Sequence, residues 1–190
     1  AASDVYKRQV IHSASGGVGS MLIQIAKQLG VQHILATVGH ASKYDYVKQL
    51  GADFVCTYES FPEMVLQHTN NKGATVIFDS VAGEITAQSI NCLAQYGTLV
   101  QFGNSSGKTG SFLTSDVHSS CRSVKGFSLG TTRKANPEMI RPYAEKMIQQ
   151  FARGDFKLEI DQIFSLEDAK LAHKHVESRL HKGKVLIDLS

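Results

Sequence analysis

The sequence contains no tryptophan and only three cysteines, Cys56, Cys92 and Cys121. None forms a Cys-x-x-Cys pair and the number is odd. That argues against a disulfide framework and against a cysteine zinc site within this stretch. A reducing, cytoplasmic setting is the expectation. No apolar run approaches the roughly 20 residues needed to span a bilayer, and no secretory signal is recognisable. The formal charge is only +3 and is spread along the chain. It gives no argument for nucleic acid, so neither nucleic acid nor membrane is an expected partner. Two reaction signatures are also missing. No Gly-Lys-Ser/Thr follows the glycine-rich stretch, which excludes a P-loop. Ser13 and Ser15 lack the Gly-x-Ser-x-Gly spacing of a nucleophile elbow.

What remains is an ordinary globular composition: 190 residues, 42% hydrophobic and 19% charged. That is enough for one good-sized core, or one core and part of another. Short apolar runs alternate with amphipathic stretches. Strands are predicted at Val10–His12, His33–Val38, Asp53–Thr57, Thr75–Phe78 and Thr98–Phe102. Helices are predicted at Gly17–Leu29, Ser42–Leu50, Phe61–Thr69 and Ile85–Leu93. This βα alternation predicts a doubly wound parallel sheet. After Gly103 the rhythm changes. A polar loop covers Asn104–Gly110, a sixth strand Ser123–Leu129, and a helix Glu138–Phe151. An extended piece at Phe156–Phe164 leads to a helix beginning at Ser165 and a last strand at Lys184–Leu189. Residues 1–9 read as a non-native or truncated leader, 10–154 as a Rossmann domain, and 155–190 as a returning segment. That segment would belong to a catalytic domain whose other strands are missing. Its apolar surface would then lack a partner, and aggregation or partial disorder is expected there.

Ala14-x-Gly16-x-x-Gly19 follows a strand and opens a helix. It is a variant of the dinucleotide-binding fingerprint with Ala first. Small residues allow the backbone to approach a pyrophosphate, and the helix N-terminus offers N–H groups and partial positive charge. About 20 residues on, an NAD-preferring site carries Asp or Glu for the ribose 2′-hydroxyl. Here Thr37-Val38-Gly39-His40-Ala41-Ser42-Lys43 carries no carboxylate. Ser42 and Lys43 would instead attract a 2′-phosphate. Tyr58 is placed beside that phosphate or the adenine. No residue is a convincing general acid. His12 reads as a packed histidine. His173 and His175 point to different faces of one helix, and neither they nor His181 read as metal ligands.

The strings His12-Ser13-Ala14-Ser15-Gly16-Gly17-Val18-Gly19, Leu50-Gly51-Ala52-Asp53, Phe78-Asp79-Ser80-Val81 and Phe102-Gly103-Asn104-Ser105-Ser106-Gly107 resemble the medium-chain dehydrogenase/reductase superfamily. The resemblance is to its quinone oxidoreductase, or zeta-crystallin-like, branch, and it extends to Glu177-Ser178-Arg179 and Gly183-Lys184-Val185. It implies a zinc-independent reductase that passes hydride from NADPH to a quinone or enone, and a homodimer. It implies that Ser15, Gly16, Gly17, Val18 and Gly19 hold the pyrophosphate. Gly39, Ser42, Lys43 and Tyr58 would hold the adenosine 2′-phosphate end. Ser80, Phe102, Gly103, Asn104 and Ser105 would line the nicotinamide ribose region, with Phe127 and Leu129 beside the nicotinamide and Arg179 reaching the cofactor. Such enzymes also have an N-terminal catalytic domain resembling chaperonin-10, which this sequence lacks. The catalytic residues are therefore unassigned. A zinc-dependent alcohol dehydrogenase of the same superfamily and a non-catalytic NADPH sensor stay open as alternatives.

Overall fold

Ile34-Leu35-Ala36 and Val76-Ile77-Phe78 carry no polar residue, so strands built from them need cover on both faces. A computed structural model, which describes residues 8–189, provides it. The first part of the chain runs β1 (Arg8–Ile11), α1 (Gly17–Gln28), β2 (His33–Val38), a 3-10 turn (Ala41–Lys43), α2 (Tyr44–Gln49) and β3 (Phe54–Thr57). It continues through α3 (Phe61–His68), β4 (Ala74–Asp79), α4 (Glu84–Asn91), β5 (Leu93–Gln101), α5 (Thr114–His118) and β6 (Ser123–Gly126). These six strands form one parallel sheet in the order β3-β2-β1-β4-β5-β6. This is the Rossmann arrangement. The chain winds outward from β1 to β3, then crosses back to β4. A crevice opens beyond the carboxyl ends of β1 and β4, where the winding reverses.

Side chains alternate across the sheet. Val10, Leu35, Ile77 and Leu99 face a core shared with Phe61 and Val65 of α3 and Ile90 of α4. Ile11, Ile34, Ala36 and Val38 face the other core, shared with Ile23 of α1 and Val47 of α2. At roughly 25 cal/mol per Å² of apolar area, each fully buried Leu or Ile contributes about 1.5–3 kcal/mol.

The remainder runs α6 (Leu129–Ala135), α7 (Pro137–Ala152), β7 (Ile160–Ser165), α8 (Ala169–Glu177) and β8 (Lys184–Asp188). Strands β7 and β8 pair with each other in parallel, joined by α8. This returning unit attaches to the Rossmann domain through polar contacts. The Gln24 amide donates to the Lys157 carbonyl at 3.0 Å and accepts the Lys157 N–H at 2.8 Å. The Gly183 N–H donates to the Ser15 carbonyl at 2.9 Å. Ile160, Ile163, Leu186 and Ile187 on the unit stay exposed.

The structure differs from expectation in several places. Arg8 and Gln9, assigned above to a leader, pair with His33 and Ile34 as the start of β1. Arg8 is polar but its guanidinium donates to the Gly73 carbonyl at 2.8 Å, so a hydropathy pattern does not reveal the strand. Residues 1–7 lie outside the described residues. Strand β5 begins at Leu93 rather than Thr98, across an irregularity opposite Ala74 and Val76. Strand β6 stops at Gly126, and Ser128 then caps α6 by accepting the Thr131 N–H at 3.2 Å. Helix α6 was missed because Gly130, Thr131 and Thr132 are poor helix formers. Helix α5 was missed because it is only five residues long. Helix α8 starts at Ala169 rather than Ser165, although Ser165 and Asp168 do bond to each other as half of a capping box. Strand β6 is the sheet edge and is exposed at all four positions. Among the described residues no helix is long and apolar enough to cross a membrane.

His12, at the end of β1, is fully buried. Its Nδ1 pairs with Thr37 Oγ1 and its Nε2 with Ser89 Oγ, both at 2.8 Å. It therefore links β1 to β2 and to α4, and its ring meets Phe61 edge-on. Burial pushes its pKa down to about 4, against a smaller upward pull from Asp79. The folded state thus holds a neutral imidazole while the unfolded chain titrates near the ordinary value. Stability is fully present above about pH 6.5 and falls as the pH drops toward about 4. The loss amounts to roughly 3 kcal/mol, at 1.36 kcal/mol per unit. Urea denaturation across this window should show that slope, and a His12→Leu variant, weaker at neutral pH, should show a shallower one. Equal slopes would refute the assignment.

Candidate functional site

The loop that turns from β1 into α1 sits at the mouth of the crevice. Ser13 adopts a left-handed backbone, φ 51°. The Tyr58 hydroxyl holds it there, accepting the Ser13 N–H at 3.0 Å and lying 3.0 Å from Ser13 Oγ. The first turn of α1 has no side-chain cap and no acidic residue. Its N–H groups are therefore left for an anion from outside the helix. Gly19 brings α1 against β1. A Cβ there would stand 2.7 Å from Ala14 Cα and 2.9 Å from the Ser13 carbonyl carbon. Those atoms are backbone and have nowhere to go.

A cleft of about 280 Å³ opens beside this loop. Ser15 and Gly16 form one wall, Gly39 and Lys43 the end of β2, and Tyr58 the end of β3. Ser105, Arg179 and His181 close it from the far side. Lys43 is only 5% exposed. Burial, and then the charge of Lys182, lower its pKa, while Asp161 opposes them. Arg179 donates to the Ser105 carbonyl at 3.3 Å, tying the returning unit to the loop after β5. Lys184 extends over the loop, and its Nζ occupies the space a Cβ on Gly17 would need. The cleft therefore combines a helix N-terminus with two cationic side chains, Lys43 and Arg179, and Lys184 stands over the head of the helix. That is the chemistry of a polyanion site.

A second cavity, of about 830 Å³, lies beyond the carboxyl ends of β5 and β6. Phe102, Gly103, Asn104 and Phe127 line it, together with Thr86, Phe112 and Thr131. The loops after β4 and β5 that separate the two spaces are sewn together. The Ser105 N–H donates to the Ser80 carbonyl and the Ser106 N–H to the Val81 carbonyl, both at 3.0 Å. Asp79 fixes the start of this turn by accepting the N–H groups of Val81 and Ala82 and the Thr86 hydroxyl.

Of the residues predicted from sequence, Ser15, Gly16, Gly39, Lys43, Tyr58, Ser105 and Arg179 come together at the first cleft. Phe102, Gly103, Asn104 and Phe127 come together at the second. Gly17 stands at the head of α1 beneath Lys184. Val18 projects from the first turn, 57% exposed. Gly19 is buried in the helix–strand contact. Ser80 lies behind the cavity wall against Gly103. Ser42 and Leu129 stand apart from both spaces. Ser42 is exposed and its hydroxyl bonds to His40 Nδ1 at 2.8 Å, away from Lys43. Leu129 opens α6, largely exposed. Sequence reasoning passed over Lys184, quoted only as part of a motif, and His181. Neither has a local signal, because both reach the cleft from the far end of the chain. His175 and His181, neither of them read as a metal ligand, lie with ring centroids 6.2 Å apart. Among the described residues no group of three or more His, Cys, Asp or Glu could hold a metal ion.

Comparison with known proteins settles the lineage. Residues 17–146 match the family described as zinc-binding dehydrogenase. The chain belongs to that family. Within the medium-chain dehydrogenase/reductase superfamily it stands beside the quinone oxidoreductases. It is 31% identical over 183 residues to a probable quinone oxidoreductase of Schizosaccharomyces pombe, covering 94% of this chain and 54% of that one. It is 34% identical over 186 residues to a quinone oxidoreductase of Pseudomonas aeruginosa, covering 94% and 55%. The crystal structure of Escherichia coli quinone oxidoreductase complexed with NADPH superimposes with a TM-score of 0.85 at 30% identity, covering 96% of this chain and 57% of that one. The chain thus spans about half the length of the curated relatives it matches, and in this dehydrogenase family it corresponds to the cofactor-binding half.

The packing of the loop makes a contrast that can be measured. Gly19→Ala should lower stability by roughly 1–3 kcal/mol, because the clash is with backbone. Gly17→Ala meets only the movable end of Lys184 and should cost less than ~1 kcal/mol. Urea denaturation of the two variants gives the comparison, and equal losses would contradict the close approach at Gly19.

Proposed function

We propose that this chain is the cofactor-binding half of an NADPH-dependent oxidoreductase that passes hydride to a quinone or enone-type acceptor. The observation that carries the reading is the charge of the adenosine end. Lys43 is buried in the 3-10 turn just after β2, in a stretch that carries none of the carboxylates an NAD-preferring site has there. The names of the relatives and the NADPH complex of the E. coli protein support it.

In this reading the two spaces divide the work. Ser15, Gly16 and Gly17 present the head of α1 to the pyrophosphate, with Lys184 above. Lys43, Tyr58 and Arg179 hold the 2′-phosphate end. Phe102, Gly103, Asn104 and Ser105 line the passage toward the nicotinamide, and Phe127 borders the larger cavity. The bound dinucleotide supplies the hydride chemistry. The larger cavity has no Asp, Glu, His, Lys or Cys in its lining among the described residues. What this chain contributes there is the shape of the wall rather than a charged acid or base. Acid–base assistance, where the reaction needs it, falls to residues outside this chain. The exposed edge of β6 suits pairing with a second copy through its unpaired backbone groups.

The first experiment is a titration with NADPH and NADH followed by nicotinamide fluorescence, free of tryptophan transfer because the sequence has no Trp. NADPH should bind more tightly. Lys43→Ala should weaken NADPH by roughly 1–3 kcal/mol, one charge-assisted contact, and NADH far less. An equal loss for both would remove Lys43 from the 2′-phosphate site. Oxidation of NADPH by a quinone in the full-length protein then tests the reaction itself.

A further inference from the structure

His181 is held in the loop between α8 and β8, where its ring lines the same cleft as Lys43 and Arg179. Its Nδ1 is buried and has no hydrogen-bond partner. A buried ring nitrogen left unpaired beside an anion cleft is a polar group awaiting a partner. Behind it lies His175 of α8, whose Nε2 pairs with Asp161 of β7 at 2.6 Å. Asp161 also accepts the Lys182 N–H at 3.1 Å. The groups around His181 are thus Lys43 from the 3-10 turn, Tyr58 from the end of β3, Arg179 and Lys182 from its own loop, His175 from α8, and Asp161 from β7. One carboxylate stands among them against several cations. That imbalance is unfavourable in an empty cleft and favourable once a dianion occupies it.

We infer that His181 is a further residue of the 2′-phosphate subsite, one that takes up a proton as the phosphate binds and so strengthens the preference for NADPH over NADH toward acid pH. The inference rests on the NADPH reading given above. Its electrostatic basis has a definite sign. In the empty cleft burial, then the charges of Lys43 and His175, hold the His181 pKa below its ordinary value, with Asp161 opposing them. A phosphate dianion within reach reverses the balance and favours the imidazolium. The phosphate itself titrates near pH 6. Cations around it would drive its proton off, so a site of fixed charges releases protons on binding. A site with a titrating histidine takes them up.

The test is calorimetric titration near neutral pH with NADPH, NADH and adenosine 2′,5′-bisphosphate, each in buffers of different ionisation heat. NADPH and the bisphosphate should bind with net proton uptake, and NADH without it. The NADPH-over-NADH preference should rise about three- to tenfold between about pH 8 and pH 6.5, within the limit of tenfold per pH unit for one proton. In His181→Gln that rise should flatten or reverse. Proton release or no exchange by the unaltered protein, with NADPH still preferred, overturns the role of His181 and leaves the NADPH reading intact. So does a His181→Gln variant with the original pH profile. Binding of NADPH no tighter than NADH at every pH, or binding of neither, overturns the NADPH reading and this inference with it.

Discussion

The site depends on one close approach, that of α1 to the end of β1. A side chain at Gly19 would meet the backbone of Ser13 and Ala14. With only hydrogen there, the helix starts directly over the switch point of the sheet. Its uncapped, acid-free first turn then faces the crevice. Tyr58 and His12 secure the same junction from different sides. Tyr58 pins the left-handed Ser13, and His12 bonds β1 to Thr37 and Ser89. Strain at Ser13 is thus held by neighbours that over-determine it. The geometry of the crevice mouth is a consequence of packing.

The fold was legible because parallel strands have few other readings. The runs at His33–Val38 and Thr75–Phe78 are apolar on both faces, and the helices between them repeat at helical spacing. What failed was local. Arg8 is polar yet opens a strand, because its guanidinium finds a backbone carbonyl on the neighbouring turn. Gly130, Thr131 and Thr132 are weak helix formers yet form α6, because Ser128 caps it and α7 packs beside it. Tertiary context overrides propensity at both places.

The site divides by sequence distance. The glycine loop, Gly39 and Lys43 could be read because each follows its strand by a fixed number of residues. Ser42 illustrates the weakness of that method. It adjoins Lys43 in sequence, but its hydroxyl pairs with the His40 ring, which caps the 3-10 turn by accepting the Ser42 N–H. His181 and Lys184 had no such signal. Their place is set by the bond from Gly183 to Ser15 and by the Gln24 amide that grips Lys157. Neither contact leaves a pattern in the sequence.

Those two contacts give the returning unit more than a structural role. It brings Arg179, His181, Lys182 and Lys184 to a domain whose own contribution to the cleft is chiefly Lys43 and a helix terminus. Burial is the first cause of the lowered Lys43 pKa, and of the charges the unit brings, Asp161 raises it more than Lys182 lowers it. The unit is held on by backbone and amide hydrogen bonds, with Asp161 attracting Lys43 across the interface. In the proposed reading an anion in the cleft would add attraction on both sides of the interface. Binding energy and docking of the unit are then one thermodynamic quantity, because a ligand that contacts both stabilises the docked form over any other. In that reading the charge pattern that would select the ligand is the same one that would make it a fastener.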